Sequence, residues 1–105
     1  NTLANEISEE NAKIVILNGT NISGLAAEQQ EKLKKQGFNI VNIDSAPTKK
    51  YNKTKVYVVN KDKSVTIKKL EQKFNVKSSE LPDELAKYGK GVDIVIVLGG
   101  DTEWI

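Results

Sequence analysis

Two apolar runs near the ends of the chain decide the fold. Residues 14–17 read IVIL and residues 93–98 read DIVIVL, and glycine-containing pairs at 18–19 and 99–100 stop both runs. Branched apolar residues without polar alternation are typical of strands that are covered on both faces. We therefore expect the first and the last strand to lie centrally in one sheet or to be covered on both faces.

The chain between these runs contains segments with the apolar spacing of helices and of strands. The predicted elements are a helix over 24–36, a strand over 38–43, a strand over 54–59, a helix from Asp62 or Ser64 to Phe74, and a short helix over 82–88. Ser23 is the expected N-cap of the first helix, and Gly37 is its expected left-handed end. The order predicts an α+β fold, a βαββαβ ferredoxin-like two-layer sandwich with an extra short helix before the last strand. The alternative is a small three-layer sheet with helices on both sides.

A length of 105 residues predicts one domain. Residues 1–12 are polar and acidic, so we interpret them as a linker or frayed lead-in. The domain itself is expected over 13–101 and a short tail over 102–105. The sequence has no methionine, and we expect that it was cut from a longer protein or has lost its first segment.

The composition excludes several classes of active site. Cysteine and histidine are absent, which excludes thiol nucleophiles, cysteine-based zinc sites and histidine-based triads. Asp93 and Asp101 flank the last strand, but the sequence offers no clear partner for an acid–base pair. We therefore predict no catalytic residues, no metal and no cofactor. All sixteen basic residues are lysines, and without arginine a specific nucleic-acid partner is not expected. No apolar run reaches the ~18 residues that span a bilayer, so this segment is not expected to insert into a membrane.

The loop at 18–24 (NGTNISG) is one candidate site. It joins a buried strand to a helix N-terminus, where backbone amides and the helix dipole favour anions. An apolar pair follows where a phosphate loop needs Lys and Ser or Thr, so a nucleoside-triphosphate site is not expected. The candidate contact residues are Asn18, Gly19, Thr20, Ser23 and Gly24. The alternative is a turn followed by a helix cap.

A second candidate site is the lysine-rich middle of the chain. Ten of the sixteen lysines lie within residues 49–77, against only two carboxylates. Such a basic patch can attract an anionic polymer, whereas the alternative is a solvated face that keeps the domain soluble. The candidate binding residues are Lys49, Lys50, Tyr51, Lys53, Lys68 and Lys69.

Motifs at both ends of the core resemble the LytR C-terminal domain family. Residues 16–26, with ILNGT and then GLA, resemble the family's opening, and Gly37-Phe38 resembles the end of its first helix. Residues 51–59 resemble its central strand, and residues 93–101 (DIVIVLGGD) resemble its ending, D-I-x-V-V-L-G-x-D. The resemblance covers about residues 13–101. The polar stretch at 78–90 and the lysine-rich centre depart from the family pattern.

The resemblance implies an accessory domain of LytR-CpsA-Psr cell-envelope proteins. It implies an extracytoplasmic location in a Gram-positive bacterium, in a parent protein anchored in the membrane upstream, with a neighbouring domain of that protein as partner. The family's catalytic part is a separate domain with an arginine and aspartate cluster that has no match here. The element order is also similar to that of SPOR-type peptidoglycan-binding domains, a likeness of fold alone.

Two functional hypotheses follow from this resemblance and from the residues. In the first, the chain is a non-enzymatic domain that binds cell-wall glycan or an anionic wall polymer through its lysines. In the alternative, it is a protein-interaction or spacer module that positions a catalytic domain and binds no polymer.

Overall fold

The computed structural model describes residues 2–102, with side chains from Glu6 onward. It contains three α-helices, one 3₁₀ helix and five strands within that range. In chain order they are α1 (Thr2–Glu10), β1 (Lys13–Asn18), α2 (Leu25–Lys35), β2 (Asn39–Ser45), β3 (Lys55–Val58), α3 (Ser64–Phe74), β4 (Ser79–Glu80), the 3₁₀ helix (Asp83–Gly89) and β5 (Ile94–Leu98).

The five strands form one mixed sheet in the order β2-β1-β5-β3-β4. The first long strand, β1, pairs in parallel with both β2 and β5. On the other side of β5, β3 runs antiparallel to it and parallel to the two-residue β4. The apolar strands β1 and β5 thus lie side by side in the middle of the sheet, and every residue of β5 is buried. The expectation drawn from the two apolar runs is confirmed.

Alternate residues of the central strands supply two apolar cores, one on each face of the sheet. On one face, Ile16 and Ile96 pack in the same cluster as Leu25 of α2 and Leu70 of α3, and Ile7 of α1 joins them. All three α-helices therefore cover this face. Burial of each such side chain contributes about 1.5–3 kcal/mol.

The other face of the sheet has a thinner cover. Val15 and Val97 pack there with Leu85 of the 3₁₀ helix and Ala46 of the β2–β3 loop. The α+β class is confirmed, and the sheet with its helices is compatible with a small ferredoxin-like two-layer domain. The short helix expected over 82–88 is present as the 3₁₀ helix.

The N-terminal segment differs from the sequence-based expectation. A linker or frayed lead-in was predicted over 1–12, whereas residues 2–10 form α1, and Ile7 and Ala12 are 5% and 3% exposed. The polar composition concealed a helix that docks through a few residues. The division of the chain at residues 12 and 101 stays a prediction, and the expected tail lies outside the described residues apart from Thr102.

The helix caps also differ from those expected from the sequence. Ser23 does not cap α2, because the cap position belongs to Gly24, which has a φ of 82° and no side-chain cap bond. Neither Asp62 nor Ser64 caps α3. Its cap position is Lys63, again without a side-chain bond. The Glu10 carboxylate at the end of α1 caps α3 instead. The left-handed conformation expected at Gly37 is confirmed by its φ of 98°.

Candidate functional site

The loop at 18–24 is closed by hydrogen bonds within itself. Asn18 Oδ1 accepts the backbone amide of Thr20 at 2.9 Å and its hydroxyl at 2.7 Å. Asn18 Nδ2 donates to the carbonyl of Ile22 at 2.8 Å, and Thr20 Oγ1 accepts the Ile22 amide at 3.0 Å. Asn18 and Thr20 therefore stabilise the turn. For these two residues, this favours a structural role in the turn over a role in ligand binding. Ser23 and Gly24 are exposed, and a ligand at this loop stays a prediction.

Gly19 lies where the chain has no room for a side chain. Its amide donates to the carbonyl of Leu98 at 3.0 Å, and its carbonyl accepts the amide of Tyr51 at 3.2 Å. A Cβ on Gly19 would lie 2.7 Å from Tyr51 Cδ1. Tyr51 is half-buried and packs against the second core. Its burial, together with nearby Glu84, raises the pKa of its hydroxyl. Gly19 and Tyr51 thus join β1 to the β2–β3 loop.

The carboxyl end of β5 anchors the same loop. Thr54, which is 2% exposed, donates its amide to Asp101 Oδ1 at 2.8 Å and its hydroxyl to the same atom at 3.0 Å. The Gly99 amide donates to Thr54 Oγ1 at 3.2 Å. The backbone approach here is so close that a Cβ on Gly99 would lie 2.3 Å from the carbonyl carbon of Lys53. Gly99 and Asp101, at the end of the last motif, therefore have a structural role, because they hold the β2–β3 loop against the end of β5. We call the contact between Asp101 and Thr54 the clamp.

Asp93 performs a similar task at the opposite end of β5. Its Oδ2 accepts the Lys13 amide at 2.8 Å, and its Oδ1 accepts Asn60 Nδ2 at 3.1 Å. Asp93 and Asp101 are separated by the length of a strand and hydrogen-bond different loops. The structure does not bring them together as an acid–base pair.

Four lysines surround a cleft of about 460 Å³ between α2, the start of β3 and the C-terminal end of α3. We call this cleft the lysine groove. Its basic residues are Lys32, Lys53, Lys55 and Lys73. Of these, only Lys53 was among the candidates from the sequence. Lys32 lies on α2, outside the lysine-rich segment, and its Nζ is 3.0 Å from Glu28 Oε2.

The remaining lining of the lysine groove combines apolar and hydrogen-bonding surface. Phe74 and Val76 are half-buried and contribute apolar area. Among the described residues that line the groove, Asp101 is the one carboxylate. The described lining of the groove is therefore positively charged and only partly apolar.

The other predicted lysines are distributed around the lysine groove rather than inside it. Lys68 lines a second, shallower depression together with Lys77, and this depression shares Asn75 and Val76 with the groove. Lys69 is half-buried, and its Nζ donates to Gln72 Oε1 at 3.3 Å. Lys49 and Lys50 are exposed in the β2–β3 loop. Lys53 and Lys68 thus line two depressions that share the residues following α3.

No set of three or more His, Cys, Asp or Glu side chains in the described part of the chain is arranged to hold a metal ion. Within residues 2–102, no helix is both long and apolar enough to cross a membrane.

Comparison with known proteins places these motifs in a family. A family model, LytR_C, described as the LytR cell envelope-related transcriptional attenuator, matches residues 11–101. The chain belongs to the LytR_C family. It is accordingly a cell-envelope accessory domain. No curated protein and no solved structure matches the chain.

The hydrogen bonds of this LytR_C domain give its motif residues a structural role. The Asn-Gly-Thr turn at 18–20 and the Gly-Gly-Asp ending at 99–101 lie within the matched region, and both fasten loops to the carboxyl edge of the sheet. The lysine groove lies next to the second of these turns, because Asp101 and Thr102 form part of its lining. Sequence reasoning missed Lys32, Lys55 and Lys73 as a group, since Lys32 comes near the others only because α2 and α3 pack on the same face of the sheet.

Proposed function

We propose that this LytR_C domain is a non-enzymatic, extracytoplasmic module that binds an anionic wall polymer through the lysine groove. One observation carries the proposal: four lysines converge on one cleft. They come from α2, from the loop before β3, from β3 itself and from α3. Lys53, Lys55 and Lys73 are exposed, so their ammonium groups can meet a ligand without rearrangement of the core.

The chemistry of lysine suits a repeating polymer. An ammonium group is a compact, hydrated charge on a flexible stem, and it does not require the fixed fork geometry of arginine. Several such groups around an open cleft attract successive negative charges without fixing one register. Binding of this kind weakens as salt screens the charges, over a Debye length of about 10 Å at 0.1 M.

The hydrogen bonds of the Asp93 and Asp101 carboxylates support a role without catalysis. Asp93 and Asp101 are hydrogen-bonded to backbone and side-chain donors at opposite ends of β5. Histidine and cysteine are absent from the sequence. The described lining of the groove offers lysines and one carboxylate, without a nucleophile and a base placed together.

Co-sedimentation with purified cell-wall sacculi, with and without their anionic polymers and across a salt series, tests the proposal. The variant K53Q/K55Q/K73Q removes three charges from the lysine groove. The control K34Q/K61Q/K90Q removes three charges from exposed lysines that do not line it. We expect the wild type and the control to be retained on intact sacculi and the groove variant to lose at least about tenfold in retention, a difference of about 1.4 kcal/mol.

Three results would contradict this function. Equal loss in both triple variants would mean that net charge, and not the groove, governs retention. Retention that survives removal of the anionic polymers would identify the glycan as the ligand. No retention under any condition would favour the alternative of a spacer or protein-interaction module.

A further inference from the structure

The N-terminal end of α3 holds a group of hydrogen-bond donors that is filled by the chain's own carboxylate. Glu10 Oε1 accepts the amide of Thr66 at 2.7 Å, and Glu10 Oε2 accepts the amide of Val65 at 3.0 Å. Lys63 Nζ donates to the backbone carbonyl of Glu10 at 2.8 Å. Glu10 is distant in sequence, so this cap comes from α1 and not from the residues that precede α3.

One buried donor at this site is left without a partner. Thr66 is 1% exposed, and its Oγ1 makes no hydrogen bond within the described residues. Burial works to raise the pKa of Glu10, but Thr66, Val65 and the Lys63 ammonium together hold that pKa below its ordinary value of 4.5. The Thr66 side chain is one of the groups that lower this pKa, so its hydroxyl faces the carboxylate. A buried hydroxyl of this kind costs free energy unless a ligand satisfies it.

The donors at the start of α3 outnumber the hydrogen bonds that the Glu10 carboxylate makes there. Each oxygen of Glu10 accepts one amide. The Thr66 hydroxyl makes no hydrogen bond to the described residues, and the Lys63 ammonium donates to a neutral carbonyl. A tetrahedral oxyanion has three or four oxygens and the higher charge. It can accept from both amides, from the hydroxyl and from the ammonium at once.

We propose that the N-terminal end of α3 is a phosphate-binding site in which Glu10 is the resident substitute. The ligand class is a phosphate group, either as inorganic phosphate or as a phosphate monoester, and it competes with the docked end of α1. The site lies at the opposite end of α3 from the lysine groove, about 16 Å away along an 11-residue helix. It is therefore independent of the polymer-binding proposal.

The attachment of α1 allows such competition. Ile7 is the one residue of α1 in the main core cluster among those with described side chains, and Ser8 Oγ reaches the Gly37 carbonyl only at 3.4 Å. A helix of nine residues is marginal in water without packing. Displacement of the Glu10 carboxylate thus requires the loss of a few contacts.

The test uses the variant Glu10→Ala, with Glu9→Ala as the matched control on the exposed face of α1. Thermal unfolding and amide NMR spectra are recorded in phosphate and in chloride at equal ionic strength. In chloride, E10A should melt about 5 °C below the wild type because α3 loses its cap. Phosphate should restore most of this loss and shift the amide signals of Val65 and Thr66 in a saturable way. In E9A and in the wild type, phosphate should change the melting temperature and these amide signals at least tenfold less.

The double variant E10A/K63Q should lose the response to phosphate, and a double variant with Thr66→Val should weaken it. Glycerol phosphate is the second probe. Saturable binding of either probe supports the proposal, and the tighter one identifies the source of the phosphate group. Equal effects of phosphate on E10A and E9A, or no shift at Val65 and Thr66, would overturn it. If E10A does not fold in either salt, the same amide titration is made on Glu10→Gln, and absence of a saturable shift there also overturns it.

Discussion

Asp101 accepts two hydrogen bonds at one oxygen from a single buried residue, Thr54. The amide of Thr54 lies 2.8 Å and its hydroxyl 3.0 Å from Asp101 Oδ1. This contact links the turn after the last strand to the residue before β3, across 47 positions of sequence. The turn after β5 therefore fixes the edge of the lysine groove.

Replacement of Asp101 by alanine should destabilise the domain. The buried amide and hydroxyl of Thr54 would lose their acceptor, and we expect the free energy of unfolding to fall by about 1–3 kcal/mol. Urea denaturation at pH 7 measures this change. Asp83→Ala, at an exposed position of the 3₁₀ helix, is the control and should change stability by less than about 0.5 kcal/mol. Equal effects at the two positions would show that the clamp contributes nothing.

The two adjacent glycines after β5 should respond very differently to alanine. A Cβ at Gly99 would lie 2.3 Å from a backbone carbon of Lys53, whereas the nearest atom to a Cβ at Gly100 is 3.6 Å away. We expect Gly99→Ala to cost about 2 kcal/mol or more, because backbone has to move. Gly100→Ala should be neutral or slightly stabilising. Thermal melts of both variants check this order, and a Gly99→Ala protein as stable as the wild type would contradict the close approach.

The Glu71 carboxylate should make stability depend on acid. The hydroxyl and then the amide of Ser78 donate to Glu71 Oε2 at 2.7 and 2.9 Å, and these bonds hold the pKa of Glu71 below its ordinary value of 4.5. The folded state therefore takes up the proton less readily than the unfolded chain. The stability that Glu71 contributes is complete above about pH 4.5 and is lost as the pH falls below it.

Comparison of Glu71→Gln with Glu31→Gln between pH 3 and 7 measures this dependence. Glu71→Gln should be less stable than the wild type at pH 7 and should lose less stability on acidification. Glu31 is exposed on α2, and its substitution should leave the wild-type profile nearly unchanged. Parallel profiles for the wild type and Glu71→Gln would refute the prediction.

Leu85 should be essential for the face of the sheet opposite the three α-helices. It is fully buried and is the apolar anchor of the 3₁₀ helix on the second core. Leu85→Ala should cost about 2–5 kcal/mol through lost burial and the cavity that it leaves. Ala86→Gly at the exposed neighbouring position is the control for a change in the same segment. Hydrogen exchange should show added exposure in β1 and β5 for Leu85→Ala alone, and a purely local effect near the 3₁₀ helix would contradict this role.

Local sequence patterns predicted the central elements of this domain well. The apolar runs of β1 and β5 fixed their position in the sheet, because strands that are apolar on both sides must be covered on both sides. Amphipathic spacing located α2 and α3 to within a residue or two, and Gly37 ended α2 as a left-handed residue.

Contacts between distant residues explain what sequence reasoning missed. Glu10 caps α3 from 55 and 56 positions away, so no local capping rule could assign it. The capping role expected of Ser23 failed because Gly24, in a left-handed conformation, took the cap position. Lys32 joins the lysine groove only because α2 and α3 pack on the same face of the sheet. The density of lysines along the chain revealed the lysine-rich segment at 49–77, but it could not reveal the lysine groove, which also includes Lys32 of α2.

The parallel pairing of β1 with β5 has a mechanical consequence. The two strands lie in register from Ile14 opposite Ile94 to Asn18 opposite Leu98, and their chain directions agree. A force that pulls on the start of β1 and on the end of β5 in opposite directions slides one strand along the other. The hydrogen bonds of this ladder then share the load at once, instead of breaking one after another as in an unzipping pair. A domain attached at one end and loaded at the other would resist tension through this central pair of strands.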